Sequence, residues 1–112
     1  MTQIAFSANP GQIVSLVTQV LDGYGARVDG YVPQVISIFF PDLTQASGYP
    51  KNMTKISTGL YVHQFTIPSG TAGLGTFIAS IAFTNPATGN PSWDIFQIHV
   101  ALPFGNSSVT PL

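Results

Sequence analysis

Turn-forming residues recur along this chain at short, regular intervals, and this spacing constrains its fold more than any other feature. Clusters of glycine, proline, asparagine and aspartate, such as Asn9-Pro10-Gly11 and Pro68-Ser69-Gly70, separate short runs rich in β-branched and aromatic residues. Several of these runs alternate between apolar and polar residues. Because glycine readily takes a positive φ and proline cannot continue a sheet ladder, the clusters predict turns and the runs between them predict β-strands.

Seven strands are predicted within the 112 residues. They cover residues 4–6, 13–21, 35–40, 53–56, 60–67, 76–83 and 95–102. Short strands spaced in this way are typical of an all-β, seven-stranded immunoglobulin-like antiparallel β-sandwich, and a small barrel is the main alternative. We expect the sandwich to occupy residues 1–102 and residues 103–112 to form a C-terminal tail or arm.

The alternation within the predicted strands selects an inward-facing set that should meet between two sheets. Burying one large apolar side chain contributes about 1.5 to 3 kcal/mol, so this set must supply most of the stability. The expected core residues are Val14, Leu16, Val20, Tyr61, Phe65, Ile67, Phe77, Ala79, Ile81, Phe83, Phe96, Ile98 and Val100.

The composition excludes several classes of function. Only 6% of the residues are charged, against about 25% in ordinary soluble domains, and the formal net charge is −1. Such a chain has no basic field to attract nucleic acid. It contains no cysteine, which excludes disulfides, thiolate catalysis and cysteine-bound zinc. Its N-terminal residues do not resemble a secretory signal and no apolar run is long enough to span a membrane, so synthesis in a cytoplasm is expected.

Two stretches resemble a known family. A Pro10-Gly11 turn starts a strand that ends at Asp22-Gly23-Tyr24-Gly25, and a later run over residues 59–68 is followed by Gly75-Thr76-Phe77-Ile78. This order resembles macroglobulin-like and related bacterial immunoglobulin-like domains over residues 9–100. A small single domain of this type, without a signal, looks most like an accessory virion protein of tailed bacteriophages, where such domains decorate capsids, necks or tails.

The resemblance implies a non-enzymatic structural protein of the virion. We expect its partners to be the protein subunits of that assembly, with a homo-oligomer as a further option. The residues agree with a non-enzymatic role, since no nucleophile elbow is present and no cofactor is predicted. His63 and His99 fall on strands expected in different sheets, so they should not share a metal ion. Asp22 and Asp29 flank Arg27 in a predicted turn, where aspartate stabilises the backbone.

Apolar residues also occur on the outward phase of the predicted strands. They are Ile13, Val17 and Leu21 on the second strand, and the third strand is apolar on both phases. Two interpretations are open: cover by the polar loop at 42–52, or an interface with a partner protein. Within the C-terminal segment, Phe104, Val109 and Leu112 belong either to an arm laid on a neighbouring subunit or to a disordered tail.

Aromatic residues in predicted turns support an alternative function. Tyr24, Tyr31, Tyr49 and Trp93 are placed where their rings can stack on sugars. The alternative is therefore a module that binds a carbohydrate or a cell-surface receptor through its loops. The same rings can instead anchor the turns to the core, and the sequence does not separate these roles.

Overall fold

A computed structural model of the protein describes residues 2–101, and their secondary structure is almost entirely β. One short 3-10 helix, Gly70–Gly73, is the only helix in this range. The prediction of an all-β chain is therefore confirmed. The strands are β1 (Thr2–Ala8), β2 (Ile13–Gln19), β3 (Gln34–Phe39), β4 (Lys51–Asn52), β5 (Thr54–Ser57), β6 (Leu60–Thr66), β7 (Gly75–Thr84) and β8 (Pro91–Val100).

The strands form two sheets that pack against each other. The larger sheet has the order β1-β8-β7-β3-β4 and the smaller one the order β2-β6-β5. Phe65 on β6 lies with its ring centroid 5.9 Å from that of Phe77 on β7, and both contact Phe40, which follows β3. This aromatic cluster joins the two layers across the core.

The expectation of a purely antiparallel, seven-stranded arrangement is wrong in two respects. Strand β1 runs parallel to β8, so the larger sheet is mixed. The two-residue strand β4 raises the count to eight. Neither difference was visible in the sequence, because apolar and polar residues alternate equally in parallel and antiparallel strands and a two-residue strand has no measurable period.

The core contains the inward set predicted from the alternation. Its members are all buried except Phe65 and Phe83, which are half-buried. The smaller sheet shows the pattern most clearly, since every second residue of β2 from Val14 onward is buried and the residues between are exposed. One polar residue of this inward phase, Thr18, donates a hydrogen bond across the sheets to the Asp94 carboxylate, 3.1 Å away.

Strand β8 begins four residues before its predicted start. The connection from β7 is a tight turn in which the Asn85 side chain accepts the Ala87 N–H and the Asn85 N–H donates to the Asn90 carbonyl. The turn is so short that Pro91 already pairs with Thr84. Proline is tolerated at the first position of a strand, so it does not prevent this early start.

Three connections lie at one end of the sandwich, and Gly59 holds two of them together, those at 57–60 and 20–33. Its N–H donates to the Asp29 carboxylate at 3.0 Å, and its carbonyl accepts the Val20 N–H at 2.8 Å. A Cβ atom on Gly59 would lie 2.7 Å from the Val28 nitrogen, and the residue has a φ of +64°. Only glycine fits this close approach. We call this end, with its connections at 20–33, 57–60 and 84–91, the loop end.

Candidate interaction surfaces

The outward side of strands β2 and β6, here called the β2–β6 face, carries exposed apolar residues. Ile13 and Val17 are 59% and 42% exposed, and Val17 is paired with Val62 on the neighbouring strand. Leu21 continues the same phase just beyond β2 and is 40% exposed. The structure thus brings the three predicted interface residues of the second strand onto one side of the smaller sheet.

No outward position of β2 or β6 is charged. The outward positions of the two strands are Ile13, Ser15, Val17, Gln19, Leu60, Val62, Gln64 and Thr66. Arg27 borders the Leu21 end of the face, where its Nε donates to the Gln19 side-chain oxygen at 3.4 Å. Apolar and neutral polar residues alternate along the two strands, so burying the part of the face away from Arg27 desolvates no ion. Its chemistry suits protein contact and offers no group for catalysis or metal binding.

The apolar residues of the third strand are partly covered by the loop at 42–52 and partly left exposed, so each of the two interpretations holds for some of them. Phe40 turns into the core, and the loop beyond it pairs back along the strand, with the Ala46 N–H bonded to the Ile38 carbonyl. Ile36 and Phe39 are only half-buried. Phe39 lies opposite Ile78 on the outer side of the larger sheet. The loop therefore covers the end of β3 but leaves an apolar strip beside it.

The sequence interpretation missed how much of that outer side is uncharged. Besides Phe39 and Ile78, it contains Ile95, which pairs with Ser80, and the adjoining positions are serine, glutamine, alanine and threonine. A signal was present, because Ile78 and Ile95 both occupy the phase opposite to the core residues. It was missed because the apolar outward phase was sought only on the second and third strands.

Two of the four aromatic residues considered for ligand binding, Tyr24 and Tyr31, lie in the 20–33 connection at the loop end. Tyr24 lies in a turn whose backbone N–H groups at residues 24 and 26 are held by the Asp22 carboxylate, and its side chain is 98% exposed. Tyr31 is in the same connection. The prediction that Trp93 sits in a turn is wrong, since it belongs to β8 and faces outward opposite Ala82.

Tyr49 is separate from the other three aromatic residues. It lies in the connection between β3 and β4, and its hydroxyl is 2.6 Å from Nε2 of His63. Burial raises the pKa of Tyr49 and lowers that of His63, and the charge of nearby Lys51 lowers the His63 pKa further. Tyr49 therefore packs as an anchor of its loop, which was the other role considered for these rings.

The two histidines lie in different sheets, as expected. His63 faces the interior from β6, whereas His99 is on the outward phase of β8 with its Nδ1 3.0 Å from the Thr76 hydroxyl. Within residues 2–101 no group of three His, Cys, Asp or Glu side chains is placed to hold a metal ion. A shallow depression of about 340 Å³ lies beside His99, but no carboxylate lines it.

The acidic residues mostly stabilise the backbone or pair with lysine. Asp29 and Lys55 form the one ion pair in the described part of the chain, at 2.8 Å, with Asp29 paired to Lys55 and not to Arg27. Hydrogen bonds from Lys55 and from the Gly59 N–H lower the pKa of Asp29. Burial raises the pKa of Asp94, which the Thr18 hydrogen bond partly offsets. These carboxyl groups are too dispersed to act as an acid–base pair.

Three predicted interface residues, Phe104, Val109 and Leu112, lie outside the described residues. Comparison with protein-family models, curated proteins and solved structures finds no match for the chain. Across the described range, no helix is sufficiently long and apolar to cross a membrane.

Proposed function

We propose that this protein is an immunoglobulin-like accessory subunit that attaches to a larger protein assembly through its β2–β6 face. The assembly we propose is the virion of a tailed bacteriophage, with the subunit on its capsid, neck or tail. The role is structural and not enzymatic. Binding buries apolar area at a preformed surface, and repetition over many copies strengthens weak individual contacts.

The strand order supports the immunoglobulin-like assignment. The smaller sheet combines the second, sixth and fifth strands, and the larger one places the third, seventh and eighth side by side. Immunoglobulin-like domains divide their strands between two sheets in this manner, with an extra short strand beside the third in some of them. The first strand then lies at the edge of the larger sheet, next to the last.

The observation that carries the proposal is the exposure of Ile13 and Val17 on strands whose outward positions carry no charge, with Val17 paired to Val62. A sheet face that remains in water normally carries polar residues on its outward phase. Apolar residues exposed at outward positions instead mark protein interfaces. The low charge of the whole chain also suits a subunit packed among neighbours. The virion setting rests on the resemblance of residues 9–100 to macroglobulin-like and bacterial immunoglobulin-like domains, of which small single examples look most like accessory virion proteins.

The setting is tested by purifying virus particles from the source that encodes the chain and analysing them by mass spectrometry. We expect the protein to sediment with capsid and tail proteins at a constant copy number. Recovery only in the soluble fraction would contradict the virion proposal.

The surface is tested with Val17→Lys and Ile13→Lys, which place a charge on the β2–β6 face. Both variants should lose co-sedimentation by at least about tenfold while keeping the thermal stability of the wild type, because their side chains are exposed. Thr84→Lys, an exposed position at the end of β7, is the matched control and should retain binding. If all three variants sediment normally, the face is not the attachment site.

A second candidate is a glycan-binding module, favoured by Tyr24 and Tyr31 at the loop end and by Trp93 on β8. Tyr24 is the most exposed aromatic side chain in the described chain, and Trp93 also presents its ring to solvent. Aromatic rings supply stacking surfaces for sugars. In a glycan array, Tyr24→Ala and Trp93→Ala should abolish binding under this alternative, whereas Val17→Lys should leave it unchanged.

A further inference from the structure

The edge strands on the two long sides of the sandwich differ in length, charge and regularity. Strands β1 and β2 are joined by a tight turn at 9–12 and form the edges on one side, here called the open side. Strands β4 and β5 are joined through Met53 and form the edges on the other, the closed side. An edge strand presents unpaired backbone N–H and C=O groups to any other strand that approaches.

The closed side carries several features that discourage pairing with another chain. Strand β4 has only two residues, and the register of β5 shifts between Lys55 and Ser57. Lys51 and Lys55 place two of the three basic residues of the protein on these two strands, and Pro50 immediately precedes them. Short strands, bulges, lysine and proline are the devices by which natural sheets block edge-to-edge association.

Strand β1 on the open side has none of these devices. It extends over seven residues, Thr2–Ala8, without a charge or a proline. Its pairing with β8 continues without a shift from one end to the other, so the strand is regular. Every second residue therefore directs its backbone N–H and C=O away from β8, where residues 2–101 provide no partner strand.

The sequence of β1 is complementary to itself when it is reversed. In an antiparallel pair centred on Ala5, Gln3 lies opposite Ser7 and Ile4 lies opposite Phe6. Ile4 and Phe6 point to the core side and are only half-buried in one copy, whereas Gln3, Ala5 and Ser7 are exposed. The pairing thus matches neutral polar residues with each other and covers the two apolar side chains.

We propose that the open edge of β1 binds β1 of a second copy of this chain, antiparallel and about a two-fold axis that passes between the two Ala5 residues. The two larger sheets then form one continuous ten-stranded sheet. The contact is isologous, so it closes at a dimer and does not propagate.

Charge favours the open side over the closed side for a contact between two copies. Two copies with a net charge of −1 repel each other weakly, and the paired β1 strands bring no ion into the contact. Pairing through the closed side would instead bring Lys51 and Lys55 of one copy against those of the other. The same chain therefore permits association on one side and opposes it on the other.

The dimer proposal uses a different surface from the proposed attachment face. It does not depend on the virion setting, and the β2–β6 face can remain free in the dimer. Failure of one proposal consequently leaves the other standing, provided that the variants for the two surfaces are measured separately.

The first test is analytical ultracentrifugation of the full chain over a concentration series up to about 1 mM. The wild type should show a monomer–dimer equilibrium. Ala5→Lys and Ala5→Asp each place like charges opposite one another and should raise the dissociation constant by about fivefold or more. An equimolar mixture of the two should restore dimers, since a lysine then faces an aspartate.

The control for these variants is Thr54→Lys, an exposed position on the closed edge strand β5, which should leave the dissociation constant unchanged. Circular dichroism checks that every variant remains folded. A wild type that stays monomeric at all concentrations overturns the proposal. So does a dimer that is insensitive to both Ala5 variants or is weakened by Val17→Lys instead.

The second test examines the register. Gln3→Lys combined with Ser7→Asp places opposite charges across the two-fold axis twice and should tighten the dimer by about fivefold. Gln3→Lys combined with Ser7→Lys alters the same two positions but opposes like charges, and should weaken it by a similar factor. Equal effects of the two double variants would contradict the antiparallel register centred on Ala5.

Discussion

The closed side of the sandwich carries more side-chain contacts around its edge strands than the open side, where β2 contributes the Thr18–Asp94 hydrogen bond. Around β4 and β5 lie the Asp29–Lys55 ion pair, the contact between Tyr49 and His63, and a hydrogen bond from Gln34 to Asn52. At the turn between β1 and β2, the corresponding side-chain bond is from the Asn9 N–H to Gln12. On the closed side, charged residues and side-chain contacts at the edge strands discourage pairing with another chain. On the open side, the regular and uncharged edge of β1 can pair with a further strand.

Replacing the turn glycines should show the largest difference between the two sides. Gly59→Ala, in the turn that follows β5, forces a Cβ atom against the Val28 nitrogen at a positive φ and should cost about 2 to 4 kcal/mol. Gly11→Ala, in the open-side turn, also has a positive φ, but its nearest neighbour would lie 3.7 Å away, so the cost should be about 1 to 2 kcal/mol. Urea unfolding of both variants measures the difference, and equal losses would contradict it.

Removing the Tyr49 hydroxyl tests whether the closed-side contacts contribute to stability. Tyr49→Phe keeps the ring beside His63 but deletes the group 2.6 Å from Nε2. We expect a loss of about 1 kcal/mol in the free energy of unfolding at neutral pH. Tyr31→Phe is the control and should unfold like the wild type, because the Tyr31 hydroxyl has no such contact within residues 2–101.

His63 should make the closed side sensitive to acid. Burial and Lys51 lower its pKa in the folded state, so the folded protein favours the neutral imidazole. Stability is then complete above the unfolded pKa of about 6.5 and falls as the pH drops from there through the folded pKa. His63→Gln should flatten this part of the pH–stability curve. Unfolding curves between about pH 4 and pH 8 compare the variant with the wild type.

Two aspartates should give small effects of opposite sign. The pKa of Asp94 is raised by burial, so its ionisation costs stability as the pH rises above 3.8, and Asp94→Asn should stabilise the protein at neutral pH by less than about 1 kcal/mol. The pKa of Asp29 is lowered by Lys55 and Gly59, so Asp29→Asn should destabilise at neutral pH. Both differences should shrink as the pH falls through the folded pKa of each group. Thermal unfolding of both variants across this pH range measures the two changes. If both variants were stabilised, or both destabilised, at neutral pH, the predicted opposite effects would be contradicted.

The alternation of residues predicted the core of the protein but not the direction of its strands. Val14, Leu16 and Val20 were expected inside and are buried, and Ile13 and Val17 were expected outside and are exposed. The period of a strand fixes which face is buried, whatever its neighbour. It contains no information on direction, so the parallel pairing of β1 with β8 could not be predicted from it.

The candidate surfaces were predictable only where they depend on a single strand. Ile13, Val17 and Leu21 share one phase of one segment, so the sequence predicted their common exposure. Trp93 lies in β8 and not in a turn because the turn at Asn85 lets the strand begin early. The pairing of Asp29 with Lys55 joins residues that are 26 positions apart in the chain. The difference between the two sides requires the strand order, which local patterns do not determine.

The parallel course of β1 and β8 also determines where attached chains would emerge. Thr2 lies level with Asp94 near the start of β8, whereas Ala101 follows its last residue. Seven residue steps of about 3.3 Å separate these levels, a distance of about 23 Å along the strands. Chains joined directly to Thr2 and to Ala101 would therefore leave the sheet about 23 Å apart along the strand direction.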